Sequence, residues 1–507
     1  MTRALAILAA ACLGLIAAEA KAAAFDRPVM TASGAVQGVE EGAGLHVFKG
    51  MPFAAPPVGQ LRWREPQTPA HWTGVRAANK FSPSCPQKGR DPNSFSYRPI
   101  EDTQAEDCLY LNVWTPAKTG GAKLPVMVWI YGGGFQNGSG GNPSYDGANL
   151  ARHGVVLVTF NYRLGALGYL VHPELTRESP HKTSGNYGML DQIAALKWVK
   201  ANIAAFGGDP ARVTIFGESA GSGSVNILHA SPLAKGLFQR AIGESTSQMD
   251  PAGGIIGRRS MAQSEEAGVK YAAEVGAHSL AELRALPFET LTKSPTQFWP
   301  QEKDGYLLPD EVHAIFAAGR QNRIALISGS NSTEGANIRV PWVRPDASEK
   351  AGYDRLYANA PETQVYTDVV QWQNRTWARL HARSGAGPAY VYWFDQAPPV
   401  PLGRYRENGG KAPGAYHSAE IQYVFGTLAV QPSWPWTDTD RKLSDTMMRY
   451  WTNFARTGDP NGAGLPAWPR YDDVRPEVMH LAKDVAAGPP SRPEAQSFLD
   501  AYFDKRR

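Results

Sequence analysis

Two runs of almost unbroken apolar residues organise the chain: Pro125 to Tyr131 (PVMVWIY) and Val155 to Asn161 (VVLVTFN). Strands of a parallel sheet read this way, because helices cover both of its faces. Between Asp191 and Phe206, Leu196, Val199, Ile203 and Phe206 recur at helical spacing, and Gly207-Gly208 followed by Pro210 stops the helix. Strand, helix and strand in this order predict parallel pairing through right-handed crossovers. Val213 to Phe216 is a further strand that runs into Gly217-Glu218-Ser219-Ala220-Gly221, after which Val225, Ile227 and Leu228 mark a helix. Ile324 to Ser328 and Ala389 to Phe394 add two more strands. Upstream, Val47 to Phe53 with Pro56-Pro57 and Gly59 reads as short strands and loops. Near the other end, Met447, Met448, Tyr450, Trp451 and Phe454 predict a closing helix, and these side chains read as core rather than as a binding site. The expected class is α/β: a large, mostly parallel central sheet with helices on both faces.

Composition changes this picture little. The 507 residues are 43% hydrophobic and 19% charged, which suits a large buried core and excludes a disordered chain. A net charge of +4, with no block of five or six like charges, gives no reason to expect a nucleic-acid partner. Residues 4–18 are almost wholly apolar, follow Arg3 and lead to Ala20-Lys21-Ala22 and Ala22-Ala23-Ala24, the layout of a secretory signal peptide. The run is too short to span a bilayer, and no later stretch could, so stable membrane insertion is not expected. With no repeat and no Pro- or Ser-rich linker, the expected organisation is a signal peptide over 1–22 and one domain over 25–507, secreted or periplasmic. Of three cysteines, Cys12 falls in the leader; Cys85 and Cys108 form an even pair bound for an oxidising compartment, which predicts one disulfide. No CxxC or Cys/His spacing suggests a metal site, and no GxGxxG occurs, so neither metal nor cofactor is expected.

A serine hydroxyl is a weak nucleophile that must be exposed, uncrowded and bonded to a base. Gly217-x-Ser219-x-Gly221 between a strand and a helix supplies the first two conditions: a sharp turn presents Ser219, and the glycines let backbone pass where a Cβ would clash. A tetrahedral oxyanion then needs preorganised N–H donors. Gly132-Gly133-Gly134-Phe135 follows the strand ending at Tyr131, so Gly133, Gly134 and Ala220 are the candidate donors. A phosphate-cradling loop is excluded, because no Gly-Lys-Ser/Thr follows.

In this type of site the chain order is serine, acid, histidine. His229, His278, His313, His381, His417 and His480 all follow Ser219; His417, in the turn-rich stretch after the last clear strand, is best placed to reach back over the sheet. Two acids follow strands and precede it, Glu334 in the loop GSNSTEG and Asp395 after Phe394, and position alone leaves both open.

Five segments in order, FKGMPFAAPPVGQLRW, EDCLYLNVW, WIYGGGF, RVTIFGESAG and YHSAEIQYVFG, make the chain resemble the type-B carboxylesterase family over about residues 30 to 480. That family has the α/β-hydrolase fold and shares it with the cholinesterases. The resemblance implies a serine esterase acting on small-molecule carboxylic esters, with Ser219 as nucleophile, Glu334 as acid and His417 as base. It further implies Gly133, Gly134 and Ala220 as the oxyanion hole and a Cys85–Cys108 disulfide. Ser245 matches a supporting serine of the family, although GES stands in place of the usual Gln-Ser-Gly. Tyr131 stands where many members have histidine, which matters little because the donors are backbone groups.

The Cys85–Cys108 loop holds Phe95 and Tyr97 but no tryptophan, so choline esters are not the expected substrates. Glu218, beside the nucleophile, has two open readings: it favours a cationic substrate group, or it is a buried, hydrogen-bonded carboxylate. Phe135, Phe298 and Trp299 likewise either line the substrate pocket or pack. Thioester, amide or polyester cleavage by the same triad, and a non-catalytic binding role, are the rival functions.

Overall fold

The computed structural model describes residues 25, 27–89, 103–250, 259–301, 303–337, 343–401 and 414–506. The expected signal peptide, Phe95 and Tyr97 lie outside the described residues. In chain order the strands of the main sheet are β1 (Val39–Glu40), β2 (His46–Pro52), β3 (Tyr110–Thr115), β4 (Leu124–Ile130) and β5 (Val156–Phe160). They continue with β6 (Gly208–Glu218), β7 (Arg240–Glu244), β8 (Ala325–Asn331), β9 (Ala389–Phe394), β10 (Val478–Leu481) and β11 (Ala486–Gly488). Their spatial order is β11-β10-β9-β8-β7-β6-β4-β5-β3-β2-β1. The seven strands from β10 to β5 run parallel to their neighbours, and the edges are antiparallel. A separate three-stranded sheet joins Val29–Thr31, Gly34–Gln37 and Val75–Ala77.

The expected strands are all present, and the apolar runs are buried along almost their whole length. Strand β6 is longer than the Val213–Phe216 run, because its polar first half still pairs with β4 from Leu124↔Gly208 across an irregularity. The chain leaves β4 for β5 on one side and returns to β6 on the other. The crevice beyond the carboxyl ends of β4 and β6 is therefore the topological switch point, where such sheets bind their ligands.

Helix α1 (Tyr187–Asn202) starts one turn before the expected Asp191 and tightens into a 3-10 turn over Ile203–Phe206. Gly207 closes it at φ +82°, a conformation that glycine adopts without steric cost. Helix α2 (Ala220–Ala230) follows the Ser219 turn and is buried at every position. Helix α3 (Glu362–Arg383) packs on β8. Helix α4 (Asp438–Thr457) is the expected closing helix, with Met447, Tyr450, Trp451 and Phe454 fully buried. Trp377 of α3 and Ser222 of α2 press on Gly243, while Trp451 of α4 bonds the neighbouring Glu244 side chain. Successive strand residues face opposite ways, so α2 and α3 cover one face and α4 the other. Cys85 and Cys108 are bonded, as expected, and fully buried.

Where α2 meets α3 lies a buried pair of imidazoles, His229 of α2 and His381 of α3, with ring centroids 4.9 Å apart. His229 faces the Asn322 carbonyl through Nε2 and accepts from Trp377 Nε1 at Nδ1, which requires the neutral ring. Burial lowers both groups, His229 well below the usual value and His381 to about 4. The unfolded chain therefore binds protons near pH 6.5 that the folded chain refuses, and stability falls as pH drops from there toward the folded values. His381 should cost about 2 kcal/mol between pH 6.5 and about pH 5, and His229 acts in the same direction. Denaturant titrations should show this slope, and His381→Gln should flatten it; a slope unchanged in the variant would contradict the assignment.

Candidate active site

The Ser219 turn is built by close backbone approach. A Cβ at Gly217 would stand 2.5 Å from the Ile130 carbonyl oxygen, and one at Gly221 would stand 2.0 Å from it, so β4 excludes any side chain at either position. Ser219 takes φ 56°, ψ −124°, a strained geometry for a non-glycine residue. Its N–H donates to the Glu244 carbonyl (2.8 Å) and its own carbonyl accepts from Gly223 N (2.9 Å), which hold the turn in place. Between buried Glu218 and buried Ala220, Ser219 alone is partly exposed.

His417 approaches from the turn after β9. Its Nε2 lies 2.8 Å from Ser219 Oγ and its Nδ1 lies 2.6 Å from Glu334 Oε2. Glu334 is fully buried, and its other oxygen accepts from Asn331 N (2.7 Å). The acid and histidine loops are stitched together: Thr333 N donates to the Ala415 carbonyl (3.0 Å), and Asn331 Nδ2 donates to the Tyr416 carbonyl (2.7 Å). Helix α3 backs the acid loop, where a Cβ at Gly335 would meet the Thr363 carbonyl at 2.2 Å.

The competing residues are engaged elsewhere. Asp395 Oδ2 lies 2.7 Å from His480 Nδ1, so the rival acid already has its own histidine. His229 and His381 form the buried pair between α2 and α3; His278 is exposed, and His313 is buried on the helix Val312–Ala317.

The glycine loop lies directly against Ser219. A Cβ at Gly132 would be 2.9 Å from Ser219 Cβ. Gly133 and Gly134 take φ of +113° and +64°, and the Gly133 carbonyl accepts from Gln136 N and Asn137 N, which fixes the turn. Ala220 N–H is the first of α2, among the groups that a helix leaves without an internal partner. Tyr131 anchors the start of the loop: its ring stacks on Tyr162 at 4.4 Å, and its carbonyl accepts from Tyr162 Oη (2.7 Å). Phe135 is buried, with its ring against Tyr169. Phe298 packs on Tyr271, its carbonyl held by Gln136 Nε2 (2.6 Å), while Trp299 is partly buried.

Glu218 is buried and its Oε1 stands 3.2 Å from His417 Nε2, so it faces the candidate base. Ser245 Oγ donates to Glu420 Oε1 (2.9 Å), and Glu420 Oε2 accepts from Asn331 Nδ2 (2.5 Å). Sequence reasoning passed over Glu420 and Glu244; for Glu420 the signal was its place three residues after His417. Burial alone would depress His417, but Glu218, then Glu334 and Glu420, outweigh it and raise the imidazole to about 9. Burial and the Glu334 charge push Glu420 up to about 7.

Comparison with known proteins gives this geometry its family. A family model described as "Carboxylesterase family" matches residues 26–383 and 363–498, and the chain belongs to that family. A fumonisin B1 esterase from Sphingopyxis macrogoltabida is 37% identical over 496 residues, covering 90% of this chain and 87% of the relative. A para-nitrobenzyl esterase from Bacillus subtilis is 36% identical over 492 residues, covering 90% and 95%. Among solved structures, a PNB esterase superposes with a TM-score of 0.80 at 34% identity, covering 93% of this chain and 99% of its own. A carboxylesterase from Geobacillus stearothermophilus gives 0.78 at 32% identity over the same shares. The fold is the α/β-hydrolase fold, and the protein is a carboxylic-ester hydrolase.

The Glu218 charge raises His417 together with Glu334 and Glu420. A base must be neutral to take a proton, so kcat/KM should rise with pH until His417 deprotonates near pH 9. Removing the Glu218 charge destabilises the imidazolium, so Glu218→Gln should move that rising limb to lower pH by roughly 1 unit or more. An unmoved limb in the pH–rate profile would contradict the Glu218–His417 interaction.

Proposed function

We propose that the enzyme cleaves esters through a Ser219–His417–Glu334 triad and a covalent acyl-enzyme. The observation that carries this reading is the double engagement of His417, with Ser219 Oγ on one ring nitrogen and the buried Glu334 carboxylate on the other. Neutral His417 keeps its Nδ1–H in a hydrogen bond to the Glu334 carboxylate and accepts the Ser219 proton at Nε2 as Oγ attacks the ester carbonyl carbon, which makes it an imidazolium. The N–H groups of Gly133, Gly134 and Ala220 receive the oxyanion. Imidazolium then protonates the departing alkoxide, the C–O bond breaks and the acyl group stays on Oγ. Water enters, gives its proton to the same Nε2, attacks the acyl carbon and releases the acid while the proton returns to Ser219. Glu334 keeps the imidazole in the right tautomer and stabilises its cation.

Residues 1–22 act in this reading as an export signal, and 25–507 as one secreted or periplasmic domain. Support comes from the leader pattern and from the Cys85–Cys108 disulfide, a bond typical of exported chains.

Ser219→Ala should abolish p-nitrophenyl ester hydrolysis, and an organophosphonate should label Ser219 alone by mass spectrometry. Glu334→Gln should lower turnover by about 10⁴-fold, as loss of the orienting carboxylate does in other triads. Asp395→Asn should cost far less, because Asp395 serves His480. Equal or faster turnover on p-nitroanilides would shift the reading to amide cleavage; near-normal Glu334→Gln with a severe Asp395→Asn defect would reverse the acid assignment.

A further inference from the structure

Glu244 is a buried carboxyl group that this cycle does not use. It stands in a register row that crosses four parallel strands: Glu218 on β6, Glu244 on β7, Gly329 on β8 and Tyr392 on β9. Residues in register share a face of the sheet. Gly329 has no side chain, and the Tyr392 ring fills the space over it: a Cβ there would stand 2.2 Å from the ring. The side chains of Glu244 and Tyr392 are fully buried, and Glu218 nearly so. Glu244 Oε1 accepts from Trp451 Nε1 of α4 (2.8 Å). Among the described residues no hydrogen-bond partner reaches Oε2.

The groups that act on Glu244 are the Glu420 carboxyl beside the histidine turn, Trp451 on α4 and Glu218 on β6; none of them is a cation. Tyr392, on β9, feels Glu244 more than any other carboxylate. A buried carboxylate needs donors on both oxygens or a counter-charge, and without them it neutralises by taking a proton. A single indole N–H donating to Oε1 is what a neutral acid offers room for: the carbonyl oxygen accepts, and the other oxygen carries the proton. Burial and the neighbouring Glu420 hold this acid well above the usual carboxylate range, in agreement with the geometry. At the same time the Glu244 main-chain carbonyl holds the Ser219 N–H, so the residue stands directly behind the nucleophile.

We propose that Glu244 is a positioning residue that works in its protonated, neutral form, tying the strand behind Ser219 to α4 through Trp451 without adding a negative charge beside Glu218 and Glu420. The positioning half rests on Ser219 being the nucleophile; the protonation half does not. Infrared difference spectra between the full-length protein and Glu244→Gln, recorded at neutral pH in H₂O and D₂O, measure the protonation directly. The carbonyl band of a protonated carboxylic acid, shifted by deuteration, is expected in the parent and absent from the variant. Loss of carboxylate bands in its place would overturn the proposal. In kinetics, Glu244→Ala should lower kcat roughly tenfold with little change in KM, the scale of one lost hydrogen bond, and Glu244→Gln should restore it because it keeps the acceptor and the neutral charge. A kcat defect in Glu244→Gln as large as in Glu244→Ala, or a displaced acid limb in its pH profile, with unchanged thermal melting, would overturn it as well. A phosphonate adduct found away from Ser219 would remove the positioning role and leave the infrared result standing.

Discussion

The contact between the end of β4 and the Ser219 turn is the constraint from which the site is built. The Ile130 carbonyl occupies the space that a side chain at 217 or 221 would need, and only glycine at both positions allows β4, β6 and α2 to meet there. That approach forces Ser219 into a conformation that costs a non-glycine residue of order 1–3 kcal/mol. Two backbone hydrogen bonds, to Glu244 and from Gly223, oppose the relaxation. Because β4 ends at Ile130, the glycine loop begins against the nucleophile, with Gly132 pressed on Ser219. Hydroxyl and candidate oxyanion donors are thus delivered by one packing event rather than by separate loops.

Charge is arranged as tightly as backbone. Glu218 and Glu334 flank the two nitrogens of His417, and Glu420 joins Ser245 to Asn331 just behind. So many carboxyl groups around one imidazole cannot all be ionised in a buried space, and the site resolves this by unequal solvation. Glu334 receives a backbone N–H as well as the histidine; Glu420 receives a hydroxyl and an amide; Glu244 receives one indole N–H. Glu334 and Glu420 thus have two donors each, and Glu244 has one. Negative charge is accordingly better supported at Glu334, which bonds His417 directly, than at Glu244, and beside the ring it does the most for a developing imidazolium.

Apolar pattern carried most of the fold: the two long runs, the GxSxG strand and the Ala389–Phe394 strand all lie in the sheet where unbroken apolar runs and helix stops placed them. The Val213–Phe216 run falls short of β6 because Gly208–Arg212 has no apolar run to mark it, and its only registered pair with β4 is Leu124↔Gly208. Ser219 was legible because its constraint is local, five residues long. The acid was not, since Glu334 and Asp395 both follow strands, and the resemblance, not position, separated them. What distinguishes them is long-range: β10 brings His480 to Asp395 across 85 residues of sequence, and no local signal announces that pairing. Glu244 and Tyr392 were invisible for the same reason, since their relation exists only once the register of four strands is known.

The two histidine–carboxylate pairs of this sheet show what makes one of them a base. Both place Nδ1 against a carboxylate, at 2.6 Å for His417 and 2.7 Å for His480. At His480 the second nitrogen faces the Pro489 carbonyl, an acceptor that can never give up a proton, so the ring is favoured as a cation bridging two acceptors; the Asp395 hydrogen bond, which outweighs partial burial, raises it accordingly. At His417 the second nitrogen faces, besides the Glu218 carboxylate at 3.2 Å, a hydroxyl at 2.8 Å, which can donate to a neutral ring or accept from a charged one. Either protonation state is therefore satisfied, and the proton can move between oxygen and nitrogen without leaving a polar group unpaired. The difference lies in the partner of Nε2, and the glycines at 217 and 221 are what allow a serine to be that partner.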